Sequence, residues 1–321
     1  MREELQFLWY SAVIPTITAA LVAAPLLRFL PQSVAGRCSL AIAAAVAFFV
    51  GYALLPDWAP LVPARHWHWL PHLAVTGAVI GCLSVLVPLP AWGKYLLYLL
   101  LGLIGASQLV PTWDNLQPGR TVLIPLLAAY IALISLLLVL LPARLRGRLF
   151  VFLLAATAAN TAAIVGAEAA LKIGQTAFVL APALFGCWLA ILLAHRNGPK
   201  ESPLNEEMLG LATAALIPLY TLLTGGSAFV GAMETTEPAY ILLLIPAAPV
   251  LLWPFAFRPL DRLAGVPAAI ANTLTVAIVP LAVIAWILMS SEPDEWGQLP
   301  EVTTIEASAG SESVGARNSQ S

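Results

Sequence analysis

Residues 121–141 read TVLIPLLAAYIALISLLLVLL, a run without a single charged side chain. The hydrocarbon layer of a bilayer is about 30 Å thick, and a helix that rises about 1.5 Å per residue crosses it in roughly 20 apolar residues. This run therefore predicts a transmembrane helix.

The same pattern recurs along the chain. Ten apolar runs lie between charged residues and Pro or Gly breaks, at 8–30, 39–55, 72–92, 95–110, 121–141, 150–170, 175–195, 208–230, 238–257 and 266–290. The first run follows the acidic flank Arg2-Glu3-Glu4 and is too long for a signal peptide, so we expect an uncleaved helix. The pattern predicts an all-α, polytopic integral membrane protein, a bundle of about ten transmembrane helices.

The composition agrees with this class. Of 321 residues, 60% are hydrophobic and 10% are charged, and the mean hydropathy is +0.88. Soluble domains carry about 25% charged residues, so a soluble enzyme and a disordered scaffold are excluded. A net charge of −2 gives no basic excess for nucleic acid. The lipid bilayer is therefore the first expected partner.

Lysine and arginine predict the orientation, because cytoplasmic loops carry an excess of both. Loops that follow odd-numbered runs hold ten of the 15 cations, and the other side holds five. We therefore expect the protein to lie in the cytoplasmic, or inner, cell membrane, with both termini on the outer side. The ratio of twelve Arg to three Lys and the high Ala, Leu and Pro content suggest a bacterial source.

The domain organisation follows from the last run. We expect residues 1–290 to form a single transmembrane domain. Residues 291–321 are rich in Ser, Glu, Gly and Thr and poor in large apolar side chains, which predicts a disordered extracytoplasmic tail.

Neutral polar residues are the first candidate site. Asn160, Gln108, Thr213 and Asn272 lie within apolar runs, where Asn and Thr usually make packing hydrogen bonds between helices. A cavity for a polar substrate is the alternative interpretation. No run places a charged residue near the bilayer midplane, which argues against a proton carrier.

The second candidate site is the loop before the third run, where residues 65–72 read RHWHWLPH. His66, His68 and His72, with Asp57 in the same loop, are residue types that bind Zn²⁺ or Cu²⁺. The alternatives are an interfacial loop among lipid headgroups and a pH sensor. Pro71 argues against a helix that begins before it. We expect no cofactor, with this metal site as the alternative.

Three functions stay open. The first is a permease for a small-molecule substrate with a neutral polar cavity. The second is a non-catalytic membrane subunit that docks membrane protein partners through its outer loops. The third is a membrane enzyme that uses the histidine loop. The chain lacks G-x-x-x-x-G-K-[ST], H-E-x-x-H and G-x-S-x-G, so an enzyme is the less favoured class.

Overall fold

The computed structural model describes residues 6–30, 33–55, 63, 65–112, 119–143, 145–168, 171–196, 206–234, 240–256 and 265–290. Every regular element in these ranges is helical. The predicted tail at 291–321 and Asp57 lie outside the described residues.

The helices follow one another in chain order. They are α1 Gln6–Phe29, α2 Ser39–Ala53, α3 Leu70–Leu86, α4 Ala91–Leu109, α5 Arg120–Val139, α6 Arg148–Glu168, α7 Leu171–Phe178, α8 Leu180–Arg196, α9 Glu206–Glu234 and α10 Gly265–Ser290. A short helical turn, Val34–Arg37, precedes α2, and a 3-10 turn, His66–Trp69, precedes α3.

Seven of these helical stretches are long and apolar enough to cross a membrane. They are Gln6–Phe29, His66–Leu86, Arg120–Val139, Arg148–Ala167, Leu171–His195, Glu206–Glu234 and Pro267–Ile287. Ser39–Ala53 and Tyr240–Ala256 are apolar but shorter. The all-helical fold is therefore confirmed, and the described helices are compatible with a multi-pass membrane protein. Each of the ten predicted runs coincides with a helical element, while the count of ten spans and the placement of the termini stay predictions.

The start of α3 corrects one expectation. The interpretation that Pro71 prevents an earlier helix start is wrong, because α3 begins at Leu70 and Pro71 lies in its first turn. The first helical turn leaves its N–H groups unbonded in any case, so a proline there loses no hydrogen bond. The helix also ends at Leu86, before Pro88 and Pro90, rather than at residue 92.

The centre of the bundle is α9. Its residues from 212 to 233 are all buried, and it packs against α2, α3, α5 and α6, among others. Close packing on α3 depends on glycine. A Cβ at Gly77 would lie 2.8 Å from the Cα of Leu219, and one at Gly81 would overlap the carbonyl oxygen of Ala215. The small-residue spacing of Gly77 and Gly81 thus brings two backbones together, as in many membrane helix pairs.

Residues 240–256 form an irregular helical stretch that we call the broken segment. It consists of a 3-10 turn Tyr240–Leu243, one α-helical turn Leu244–Ala247 and a second 3-10 stretch Ala248–Ala256. Pro246, Pro249 and Pro254 interrupt its backbone hydrogen bonds. The run predicted at 238–257 is therefore helical but not one regular α-helix.

The chain divides into two units, Met1–Ile284 and Ala285–Ser321. Of the second unit the structure describes residues 285–290, which are the last residues of α10.

Candidate functional site: a polar vestibule

A polar cavity of about 550 Å³ opens at one end of the bundle, and we call it the vestibule. It is formed by the turn before α3, the end of α4, the start of α5 and the last residue of α9. Its lining residues are Pro63, Arg65, His66, Trp67, Trp69, Ser107, Gln108, Val110, Pro111, Thr112, Arg120 and Glu234. Helices that run in alternating directions place these ends at one face of the bundle.

Arg120 closes the α4–α5 connection. As the first residue of α5, it extends an Nη2 group that donates a 2.8 Å hydrogen bond to the carbonyl of Ser107 in the last turn of α4. Carbonyls in a last helical turn lack intrahelical partners, and a cation there is also favoured by the helix dipole. The Nε of Arg120 is buried and has no hydrogen-bond partner within the described ranges. Arg120 thus has one structural bond and one donor to spare.

His66 and Glu234 link two other walls of the vestibule. The Nε2 of His66 lies 3.4 Å from Oε1 of Glu234, and the two side chains are 17% and 31% exposed. Among the described residues, the lining of the vestibule therefore carries two guanidinium groups, those of Arg65 and Arg120, and one carboxylate.

The other two predicted metal ligands point to their own aromatic neighbours. His68 is 8% exposed, and its ring lies edge-on to Trp67 at 4.0 Å between centroids. The ring of His72 lies 5.6 Å from that of Trp69. Among the residues that the structure describes, no three His, Cys, Asp or Glu side chains gather as a metal site. Because Asp57 lies outside those residues, the four-residue metal site stays a prediction.

The four predicted cavity residues lie in different places. Gln108 lines the vestibule and donates a 3.3 Å hydrogen bond to the hydroxyl of Ser107. Asn160 is exposed on α6 and donates to the carbonyl of Ala156. Thr213 is fully buried on α9, and its hydroxyl donates to the carbonyl of Leu209. Asn272 lies on α10, with a buried Oδ1 that has no partner among the described residues.

The vestibule thus joins Gln108 and His66, which sequence reasoning had assigned to two separate candidate sites. It also brings in Arg120 and Glu234, which the sequence analysis had not selected as site residues. Both lie at the ends of helices that follow or precede outer loops in the predicted topology. A search for charged residues at all the helix ends on the predicted outer face would have identified Arg120 and Glu234 as candidate site residues.

Beside α9, hydroxyl groups hold the broken segment in place. The hydroxyl of Tyr220 on α9 donates to the carbonyl of Pro246 at 3.1 Å, and that of Tyr130 on α5 donates to the carbonyl of Leu243 at 2.5 Å. In a 3-10 turn each carbonyl bonds the N–H three residues on, and for the Pro246 carbonyl that residue is Pro249, which has no N–H. The Tyr220 hydroxyl therefore supplies the donor that proline lacks, and Tyr130 adds a second side-chain bond to the same segment.

A further hydrogen bond between neutral groups joins α5 and α9. The hydroxyls of Ser135 on α5 and Thr221 on α9 lie 2.6 Å apart, and both residues are buried. The bundle interior between α5, α9 and the broken segment is therefore held by neutral hydrogen bonds.

Comparison with known proteins gives no relative for this arrangement: no protein-family model, curated protein or solved structure matches the chain.

Proposed function

We propose that the protein is a permease of the bacterial cytoplasmic membrane that admits a small solute with an anionic group through the vestibule. The observation that carries the proposal is the polar cavity, whose described lining holds two guanidinium groups and one carboxylate, at the end of a bundle whose helices are long and apolar enough to cross a membrane. Its volume of about 550 Å³ lies within the range of small-molecule sites, roughly 300–1,000 Å³.

The charges of the vestibule indicate the class of solute. Arg65 and Arg120 offer planar donor groups that suit a carboxylate or a phosphate, and Glu234 is the one described acid that opposes them. Gln108 adds a neutral polar side chain that can orient the rest of the solute.

The broken segment supports transport rather than binding alone. Discontinuous helices occur at depth in membrane transporters, where irregular backbone lines a path or is enclosed by protein. Here the segment is bonded to α5 and α9, and α9 ends at the vestibule through Glu234. Asn160, Thr213 and Asn272 lie outside the vestibule, and we propose them only as candidates for the rest of the path.

Uptake into proteoliposomes tests the proposal. The panel contains radiolabelled monocarboxylates, dicarboxylates and phosphate, with a neutral sugar and a neutral amino acid for comparison. We expect at least one anion to accumulate above protein-free liposomes and the neutral solutes to stay at background. We expect Arg120→Gln to lower kcat/KM for that anion at least tenfold, because a charge-assisted hydrogen bond contributes about 1.5–3 kcal/mol.

Two further variants separate binding from folding. Gln108→Leu changes the vestibule without removing the bond between Arg120 and Ser107, and we expect it to raise KM. Arg28→Gln removes an exposed cation at the end of α1, and we expect unchanged uptake. No uptake of any anion, or equal flux in wild type and Arg120→Gln, contradicts the proposal.

A further inference from the structure

A second polar cluster lies at the end of the bundle opposite the vestibule. It consists of Ser84 on α3, Lys94 and Tyr98 on α4, and Arg146 in the connection between α5 and α6, and we call it the Arg146 cluster. Lys94 and Gln108 are separated by about 21 Å along α4. The two sites are therefore distinct.

The Arg146 cluster contains two buried polar atoms for which the described residues supply no geometric hydrogen bond. Tyr98 is fully buried, and its Oη makes no hydrogen bond to a described residue. Ser84 lies beside it, but the Ser84 hydroxyl donates to the carbonyl of Gly81. The Nε of Arg146 is likewise buried, and it has no hydrogen-bond partner in the described part of the chain. Ser84 can share the Tyr98 hydroxyl, so the Nε of Arg146 is the buried donor that indicates an additional polar group.

The Arg146 cluster has positive charge and no described counter-ion. Burial lowers the pKa of Arg146, and Tyr98 is the one described ionisable group that opposes this effect. Lys94 is close enough to Arg146 for the two cations to repel each other. No Asp or Glu in the described ranges acts on either cation. Two neighbouring cations, one of them partly removed from water, are stabilised by a bound anion, which offsets the cost of burial and their mutual repulsion.

The position of the Arg146 cluster fits the level of lipid headgroups. Trp92 is 70% exposed in the first turn of α4, two residues before Lys94. Exposed tryptophans in membrane proteins concentrate at the boundary between headgroups and hydrocarbon. Lys94 and Tyr98 are four residues apart and therefore share one face of α4, so the tyrosine lies one turn deeper than the lysine.

We propose that the Arg146 cluster binds the phosphate group of an anionic phospholipid. The phosphate oxygens accept hydrogen bonds from the Arg146 guanidinium and the Lys94 ammonium, and the Tyr98 hydroxyl is a neutral donor beneath them. Arginine and lysine are the side chains that recognise phosphate, and basic pockets between membrane helices bind lipid headgroups. The acyl chains then lie along the apolar surface of the bundle.

Native mass spectrometry of the full-length protein tests this site. The protein is stripped of lipid in a neutral detergent and then titrated with phosphatidylglycerol, with phosphatidylcholine as the zwitterionic comparison. We expect wild type to bind one phosphatidylglycerol, and to bind it more tightly than phosphatidylcholine. We expect Arg146→Gln to bind phosphatidylglycerol at least tenfold more weakly than wild type does. Arg28→Gln removes an exposed cation at the same end of the helices and should bind like wild type. Equal binding by Arg146→Gln and Arg28→Gln overturns the proposal.

Two additions keep the result decisive. Lys94→Gln alters a half-buried residue at the rim of the Arg146 cluster, so it provides the test if Arg146→Gln does not fold. We expect Lys94→Gln to bind phosphatidylglycerol several-fold more weakly than wild type. Unchanged binding overturns the site. Inorganic phosphate is added as a competitor at millimolar concentration. We expect the lipid to remain bound, whereas displacement of the lipid by phosphate overturns the assignment to a headgroup in favour of a soluble anion.

Discussion

The hydroxyl of Tyr220 donates a 3.1 Å hydrogen bond to the carbonyl of Pro246, although both groups are buried within the bundle. The carbonyl needs this donor because Pro249 has no N–H to offer in the 3-10 turn that follows. The central helix therefore supports the irregular backbone beside it, and the broken segment keeps its shape through a side chain from another helix.

Removal of the Tyr220 hydroxyl should destabilise the protein. We expect Tyr220→Phe to lower the free energy of unfolding by about 1–2 kcal/mol, because the buried carbonyl of Pro246 loses its donor. Thermal unfolding in detergent measures the change. Tyr52→Phe is the matched control, since the hydroxyl of Tyr52 is buried without a partner in the described part of the chain. A loss in Tyr52→Phe as large as that in Tyr220→Phe argues against the role of the bond.

The contact between α3 and α9 should tolerate no side chain at Gly81. A Cβ there overlaps the carbonyl of Ala215, and backbone on both sides prevents a local adjustment. We expect Gly81→Ala to cost roughly 2–3 kcal/mol, at the upper end of overpacking effects. Gly93→Ala is the control, because its nearest neighbour would be 3.4 Å away and alanine favours the helix. The same unfolding measurement compares the two; equal midpoints would show that the helices separate without cost.

These two contacts also mark how far sequence reasoning extends. The length of each apolar run predicts where helices form, and the spacing of Gly77 and Gly81 is typical of a close helix pair. The partner of that pair was not predictable, because α9 is apolar or small on all sides and no polar face marks its orientation. For the same reason Gln108 and His66 were assigned to separate sites. The prolines at 246 and 249 are typical of irregular backbone, but the side chains that bond to it, Tyr130 and Tyr220, are distant in sequence.

Removing the acid of the vestibule should raise the affinity for the transported anion, whereas removing Arg120 should lower it. Glu234→Gln removes the described carboxylate of the vestibule and should strengthen binding of the transported anion several-fold, because a nearby like charge is lost. Stability should change little, since a partly exposed ion pair contributes about 0–1 kcal/mol. The KM for the anion in proteoliposomes measures the effect, and raised ionic strength should reduce it. A higher KM in Glu234→Gln would mean that Glu234 binds the solute itself.

The orientation of the bundle gives the last prediction. The excess of Lys and Arg in alternate loops predicts that the vestibule faces outward and that the start of α4 faces the cytoplasm. Arg65 and Trp92 are exposed at these two ends. A thiol reagent that cannot cross membranes should therefore label Arg65→Cys in intact cells and label Trp92→Cys only after the cells are opened. Both variants are made after Cys38, Cys82 and Cys187 are replaced by alanine, which removes the native thiols. If only Trp92→Cys is labelled in intact cells, the vestibule faces the cytoplasm and the Arg146 cluster is a site of the outer leaflet. If both variants are labelled in intact cells, the two ends lie on one side of the membrane.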